Sequence, residues 1–206
     1  MTGAEIRIRP ATPADADVVA ALITMTPGGL PDLVDDLPAA RRLARAAFRT
    51  GGSGFGFDRT LVAEVDGAVA GQIIRFAGSQ WNRRIQARTG LVLLRAAGLR
   101  FGRRVVREGL RHARASVPIA WDTLYVISLA VVPQRRGQGI GSALLRRVVE
   151  EALEARLRSV SLDVAALNER AIRLYESEGF VTVAEERAPS RQGSPDIASI
   201  RMELAL

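Results

Sequence analysis

The chain has 206 residues, 48% of them hydrophobic, and a formal net charge of +7 in which every one of the 29 basic side chains is arginine. The length suits one sizeable core, while zero cysteines and one histidine exclude a disulfide framework, thiolate catalysis, a His-dependent triad and a zinc site, so no metal is expected. No apolar run reaches the ~20 residues that span a bilayer and the start lacks an apolar signal core, so a cytoplasmic protein with a single domain over residues 1–206 is expected.

In chain order, residues 5–9 predict an opening strand with Ile6 and Ile8 on one face, and Thr12-Pro13-Ala14-Asp15 writes a helix cap with proline in the first turn. A first helix to about Ile23 follows. Residues 31–49 predict a second helical region interrupted by Pro38, and residues 51–57 a glycine-rich connection. Residues 61–65 and 68–76 flank Asp66-Gly67, a hairpin signal. The apolar run 126–132 reads as a buried strand stopped by Pro133. The segment RRGQGIG then leads to Ser142 and an amphipathic helix to about Arg156, with Leu144, Leu145, Val148, Val149, Ala152 and Leu153 as its buried stripe. Residues 160–164 predict the next strand, and Asn168 caps a short helix that Gly179 ends. Residues 180–185 and 197–204 predict a closing antiparallel pair around APSRQGSPD.

The turn after residue 132 carries the chemistry. Gly137, Gly139 and Gly141 permit positive φ and close approach of backbone to a ligand, and the first N–H groups of the following helix favour an anion. Arg135 and Arg136 add charge there. A P-loop would need Gly-Lys-Ser/Thr, and the chain has no lysine. A dinucleotide fingerprint would place Gly or Ala where Ser142 or Leu144 stands, and Asp163 as a ribose-binding acid is the one point in its favour.

The spacing Arg136-x-x-Gly139-x-Gly141, on a strand-to-helix turn after Leu129-Ala130-Val131-x-Pro133, resembles the acyl-CoA signature of the GNAT superfamily of N-acyltransferases. A second block, from Asn168 through Ala171, Leu174 and Tyr175 to Gly179-Phe180, is similar to that family's Asn-x-x-Ala-x-x-Leu-Tyr-x-x-x-Gly-Phe. Residues 6–22 and the 61–74 hairpin also look like its opening elements. The resemblance implies an α/β fold with a mixed, mostly antiparallel central sheet flanked by helices. It implies acetyl-CoA as cofactor and an acetyltransferase in which a primary amine attacks directly, the acceptor being a small molecule or a peptide. By the same resemblance, the backbone of Leu129, Ala130 and Val131 holds the pantetheine arm, and Arg136, Gly137, Gln138, Gly139, Ile140, Gly141 and Ser142 hold the pyrophosphate. Asn168 contacts CoA, and Tyr175 protonates the departing thiolate. The general base is left open. Ile127 fills a slot where some relatives carry Asp or Asn, so Tyr125 or a water held by Ser128 substitutes, with Glu64 a further candidate.

Residues 78–120 fall outside the resemblance and form a basic helical insertion. Residues 81–114 hold ten arginines against one acid, Glu108, which exceeds the net charge of the whole chain. Apolar positions recur among them at helical spacing. A helical cover with snorkelling arginines, a shaped acceptor site or landing surface for an acidic acceptor, a homodimer contact, an anionic lipid surface and a nucleic-acid surface all fit this pattern. The last would make the protein a CoA-fold module without turnover, and the scarcity of interleaved aromatics weighs against it.

Overall fold

The computed structural model describes residues 5–26, 30–115, 118–187 and 198–206. Strands β1 (Arg7–Pro10), β2 (Thr60–Val65), β3 (Ala68–Ala77), β4 (Thr123–Val131), β5 (Ser159–Ala165), β6 (Val181–Arg187) and β7 (Ala198–Ala205) join in one seven-stranded sheet ordered β1-β2-β3-β4-β5-β7-β6. Only β4 and β5 run parallel; the other neighbours are antiparallel. This is the mixed, mostly antiparallel sheet expected. Asp66 and Gly67, both at positive φ (53° and 75°), make the β2–β3 turn that the Asp-Gly pair announced. The APSRQGSPD segment lies outside the described residues.

Alternation along the strands divides the core by sheet face. On one face α1 (Ala16–Ile23), α2 (Leu30–Val34), α3 (Leu37–Arg49) and α4 (Arg83–Ala115) pack over Val62 and Ile74. On the other, α5 (Ile140–Glu154) lays Leu144, Leu145, Val148 and Ala152 against Leu61, Ala63, Ile73, Val126 and Leu162. Tyr175 and Phe180, at the end of α6 (Glu169–Ser177) and just beyond it, join this second core. Of the stripe expected on α5, Leu153 is exposed instead of buried.

Two helix boundaries differ from the sequence reading. Pro38 does not interrupt a helix. It occupies the first turn of α3, where its missing N–H costs nothing, while Asp36 caps that helix by accepting the Ala39 N–H at 2.7 Å. The break lies at Asp35, at φ 46°. The helix after the glycine turn begins at Ile140, two residues before Ser142, because Gly139 serves as its N-cap.

The opening elements are locked by charge. Arg9 on β1 donates to both oxygens of Asp15 at 2.9 Å and to Glu64 of β2 at 2.8 Å. The Thr12 N–H also donates to Asp15, at 2.7 Å, so the carboxylate of the cap ties the first helical turn to the sheet edge. The Arg9 guanidinium, with the Thr12 bonds, holds the Asp15 carboxyl down at about 2 against an opposing desolvation effect. A carboxylate with a lowered folded-state pKa contributes stability above its unfolded value and loses it as pH falls through the folded one. Asp15→Asn is therefore expected to cost about 1–2 kcal/mol at neutral pH. Urea unfolding of variant and wild type should converge as pH drops from ~4 towards ~2.

Candidate active site

β4 and β5 pair only over residues 123–126 and 159–162, although the strands run on to Val131 and Ala165. The cause is local. Against β3, Val126 stands opposite Arg75 and Ser128 opposite Ile74, so Ile127 is an extra residue. A bulge of this kind bends its strand and increases its twist, and β4 parts from β5 there. The gap is a cleft of about 80 Å³ whose walls are residues 127–129 of β4 and 163–165 of β5, closed by Thr26, Asn168, Ala171 and Tyr175. Along it, the backbone groups of Leu129 and Val131, which alternation turns away from β3, have no strand partner, which is the edge an extended amide-bearing chain requires.

The anion cradle lies at the end of the same strand. Gly137 and Gly139 take φ of 80° and 78°. The first helical N–H satisfied within the chain is that of Ala143, donating to Gly139 at 2.9 Å. The N–H groups of Gly137, Gln138, Gly139, Ile140, Gly141 and Ser142 have no backbone acceptor, so six donors are left at the positive end of α5. Gly141 differs from the other two glycines, since it is helical and its role is packing: a Cβ there would lie 3.0 Å from Leu174 Cδ2. Arg136 stays exposed with Nε donating to the Val131 carbonyl at 3.2 Å, and Arg135 turns away to pair with Asp66 at 2.7 Å.

The second block resolves into three mechanical parts. Asn168 caps α6, its Oδ1 accepting from the Ala171 N–H at 3.2 Å. At the other end Gly179, at φ 90°, donates to Glu176 and Phe180 donates to Tyr175, each at 3.0 Å, which is a Schellman cap. Its accompanying apolar contact is the pair of Tyr175 and Phe180 rings, 5.9 Å apart. The Gly-Phe ending thus fixes where Tyr175 points. Tyr175 is 7% exposed and lines the cleft, and burial pushes its phenol up to about 12, so it remains a proton donor at neutral pH.

Around Thr26 and Ser128 the cleft meets a hydrogen-bonded chain that sequence reading missed. Gln72 of β3, fully buried, donates through Nε2 to Ser128 Oγ at 2.9 Å, and Ser128 Oγ lies 3.2 Å from Thr26 Oγ1. Gln72 Oε1 has no partner. A lone glutamine amid the apolar residues of β3 was the available signal. Tyr125, anticipated as a proton acceptor, is held as a donor: its hydroxyl gives a 2.6 Å bond to Asp163 Oδ2. Burial, followed by the Asp163 charge, pushes its pKa upward, which opposes proton acceptance. Asp163 is also clamped by Arg201 of β7 through two 2.8 Å bonds. The ribose-binding role considered for Asp163 therefore meets a carboxylate already engaged. Glu64 belongs to the Arg9 cluster and does not line the cleft.

Comparison with known proteins agrees with this geometry. Residues 34–180 match the family model described as the acetyltransferase (GNAT) family. The chain belongs to the GNAT acetyltransferase family. It is an acyltransferase enzyme that draws its acetyl group from acetyl-CoA. It is 29% identical over 104 residues to the [ribosomal protein bS18]-alanine N-acetyltransferase of Escherichia coli K12, covering 50% of this chain and 70% of that one. It is 35% identical over 95 residues to bovine (Bos taurus) thialysine N-epsilon-acetyltransferase, covering 45% and 54% respectively. A Salmonella typhimurium protein solved "with its cofactor Acetyl-CoA" shares the fold at a TM-score of 0.59 and 20% identity, over 98% of this chain and 94% of that one.

In this GNAT enzyme the cradle is testable at Gly139. A Cβ there meets nothing within 4 Å, and Asp is among the side chains that tolerate left-handed backbone, so Gly139→Asp should fold. Its carboxylate would stand where the N–H groups gather a pyrophosphate. Calorimetric titration is expected to show acetyl-CoA binding abolished, whereas Gly141→Ala, which asks only Leu174 to shift, weakens it slightly.

Proposed function

We propose that the protein acetylates a primary amine by direct attack in the β4–β5 cleft, and that the residues around that cleft divide the work. The carrying observation is the continuity of an open strand edge, a six-donor cradle at its end and a buried, protonated Tyr175 beside it. Acetyl-CoA supplies the activated thioester. The N–H groups of residues 137–142, with Arg136, bind its pyrophosphate, and the backbone of Leu129 and Val131 pairs with the pantetheine amides. Backbone N–H at the Ile127 bulge polarises the carbonyl oxygen. Asn168, its oxygen engaged in the cap, offers its amide N–H to the ligand. As the amine nitrogen bonds to the carbonyl carbon and the C–S bond breaks, Tyr175 gives its proton to the sulfur.

The amine's own proton leaves on the Thr26 side, to a water held by Ser128 and Thr26, with Gln72 setting the direction of their hydroxyls. Tyr125 acts with Arg201 as a positioning group for Asp163. Among the described residues lining the cleft Asp163 is the only carboxylate, and Arg201 already neutralises it. The site therefore receives an uncharged amine. A peptide or a small molecule meets that requirement, in keeping with the bS18-alanine and thialysine relatives. We read the 206 residues as one catalytic domain working in the cytoplasm.

Two measurements check this. Tyr175→Phe should lower turnover by ~10²- to 10⁴-fold with acetyl-CoA affinity unchanged; wild-type turnover would reduce Tyr175 to a packing residue. In an acceptor panel read by free CoA release, kcat/KM should rise with pH through the pKa of each acceptor amine, ~8 for an α-amine and ~10.4 for a lysine-type amine. An inflection that stayed fixed across the panel would instead reveal a titrating group of the enzyme.

A further inference from the structure

α4 has a break at Gly98, whose φ of 61° and ψ of −168° leave the helical region. Both halves bury one side on the neighbouring helices through Leu93, Ala97 and Val105, as a helical cover should. Their outer sides are not those of a solvated cover. Arg84, Arg88, Leu91, Leu94 and Arg95 are exposed before the break, and Leu99, Arg100, Arg103 and Val106 after it. Leu99 is 102% exposed, and Leu91 and Val106 are each 47% exposed. The five arginines have no carboxylate partner among the described residues. None of these side chains lines the cleft, and none belongs to the glycine turn.

We propose that the outer face of α4 docks the enzyme on an anionic lipid membrane. On the exposed side of each half, arginines without a carboxylate partner stand beside bare apolar side chains, which match the two components of such a surface. The guanidinium groups meet anionic headgroups, and Leu91, Leu94, Leu99 and Val106 enter the boundary with the acyl chains while arginine stems snorkel between them. The chain lies on the membrane; no helix among the described residues is long and apolar enough to cross one. A second copy of the chain is a poorer occupant, because pairing these faces would set arginine against arginine. Nucleic acid satisfies the arginines and gives the leucines nothing to contact.

Flotation of the full chain with vesicles of equal parts phosphatidylglycerol and phosphatidylcholine, compared with phosphatidylcholine alone, tests this directly. Capture by the anionic vesicles only, weakening with added salt, is expected. Replacing Arg84, Arg88, Arg95, Arg100 and Arg103 with Gln should lower vesicle affinity by about ten-fold or more. Replacing Leu91, Leu94 and Leu99 with Ser should weaken it comparably with the charge intact, and Leu99→Ser alone has no packing to lose. Unchanged acetyl-CoA affinity in each variant shows that it is folded. No capture by anionic vesicles overturns the proposal, as does capture indifferent to the leucine substitutions. RNA that displaces the vesicles, and whose binding depends on the arginines alone, would assign the face to nucleic acid. A wild-type dimer dissolved by the same substitutions would assign it to a second copy.

Discussion

Beyond Val126 the backbone of β4 loses its β5 partner, and an interior strand edge left open is unfavourable unless something else supplies the hydrogen bonds. The opening is held in place from below. Thr123 and Ser159 share a 2.9 Å hydroxyl contact in the paired section, and α5 packs across Val126 and Leu162, so the strands cannot drift apart as a whole. Divergence is confined to the residues after the Ile127 bulge. Everything the cleft contains follows from that confinement. The open edge runs straight to the glycine turn, α6 drops Tyr175 into the gap, and Thr26 and Ser128 close the opposite side.

The polar groups facing the gap are arranged so that few of them carry free charge. Asp163 is shared between Arg201 and Tyr125, and Gln72 reaches Ser128 diagonally from the neighbouring strand β3. A cleft with neutralised polar walls favours uncharged reactants and fixed dipoles over mobile counter-ions, which suits attack by a neutral amine on a polarised carbonyl. The partnerless Gln72 Oε1 belongs to the same logic: it keeps a polar group beside the Ser128 and Thr26 hydroxyls without adding charge to the cleft.

What the sequence disclosed and what it hid divide along physical lines. The glycine turn, the Asp-Gly hairpin, the Thr12 cap and the Asn168 to Phe180 block were legible because each rests on local backbone geometry that only certain residues satisfy. The bulge was not legible, since Ile127 sits in an apolar run and its register is set by β3, some fifty residues away in the chain. The same holds for Gln72 and Arg201, whose partners Ser128 and Asp163 are 56 and 38 residues distant. Local reading also misjudged the ends of helices, placing the start of α5 at Ser142, because Gly139 caps by its left-handed conformation and not by a side chain. Gly141 looked like the other loop glycines, yet its requirement comes from Leu174 on another helix.

Arginine is the sole basic side chain besides one histidine, yet it does two kinds of work. Around the sheet it is tied down: Arg9 by Asp15 and Glu64, Arg75 by Glu151 through bonds of 2.8 and 3.0 Å, Arg146 by Glu178, Arg201 by Asp163. These planar, bidentate pairs exploit a geometry that lysine lacks, and the half-buried ones fasten elements remote in sequence. On α4, Arg104 is held in this way by Asp35. Carboxylates are plentiful enough elsewhere in the chain to have been placed beside Arg84, Arg88, Arg95, Arg100 and Arg103, and i,i+4 acids on a solvated helix are an easy arrangement. Their absence leaves a positive field on one side of the molecule and near balance on the other. Such an asymmetry is what the proposed docking on an anionic surface would use, since a one-sided field steers a protein toward opposite charge.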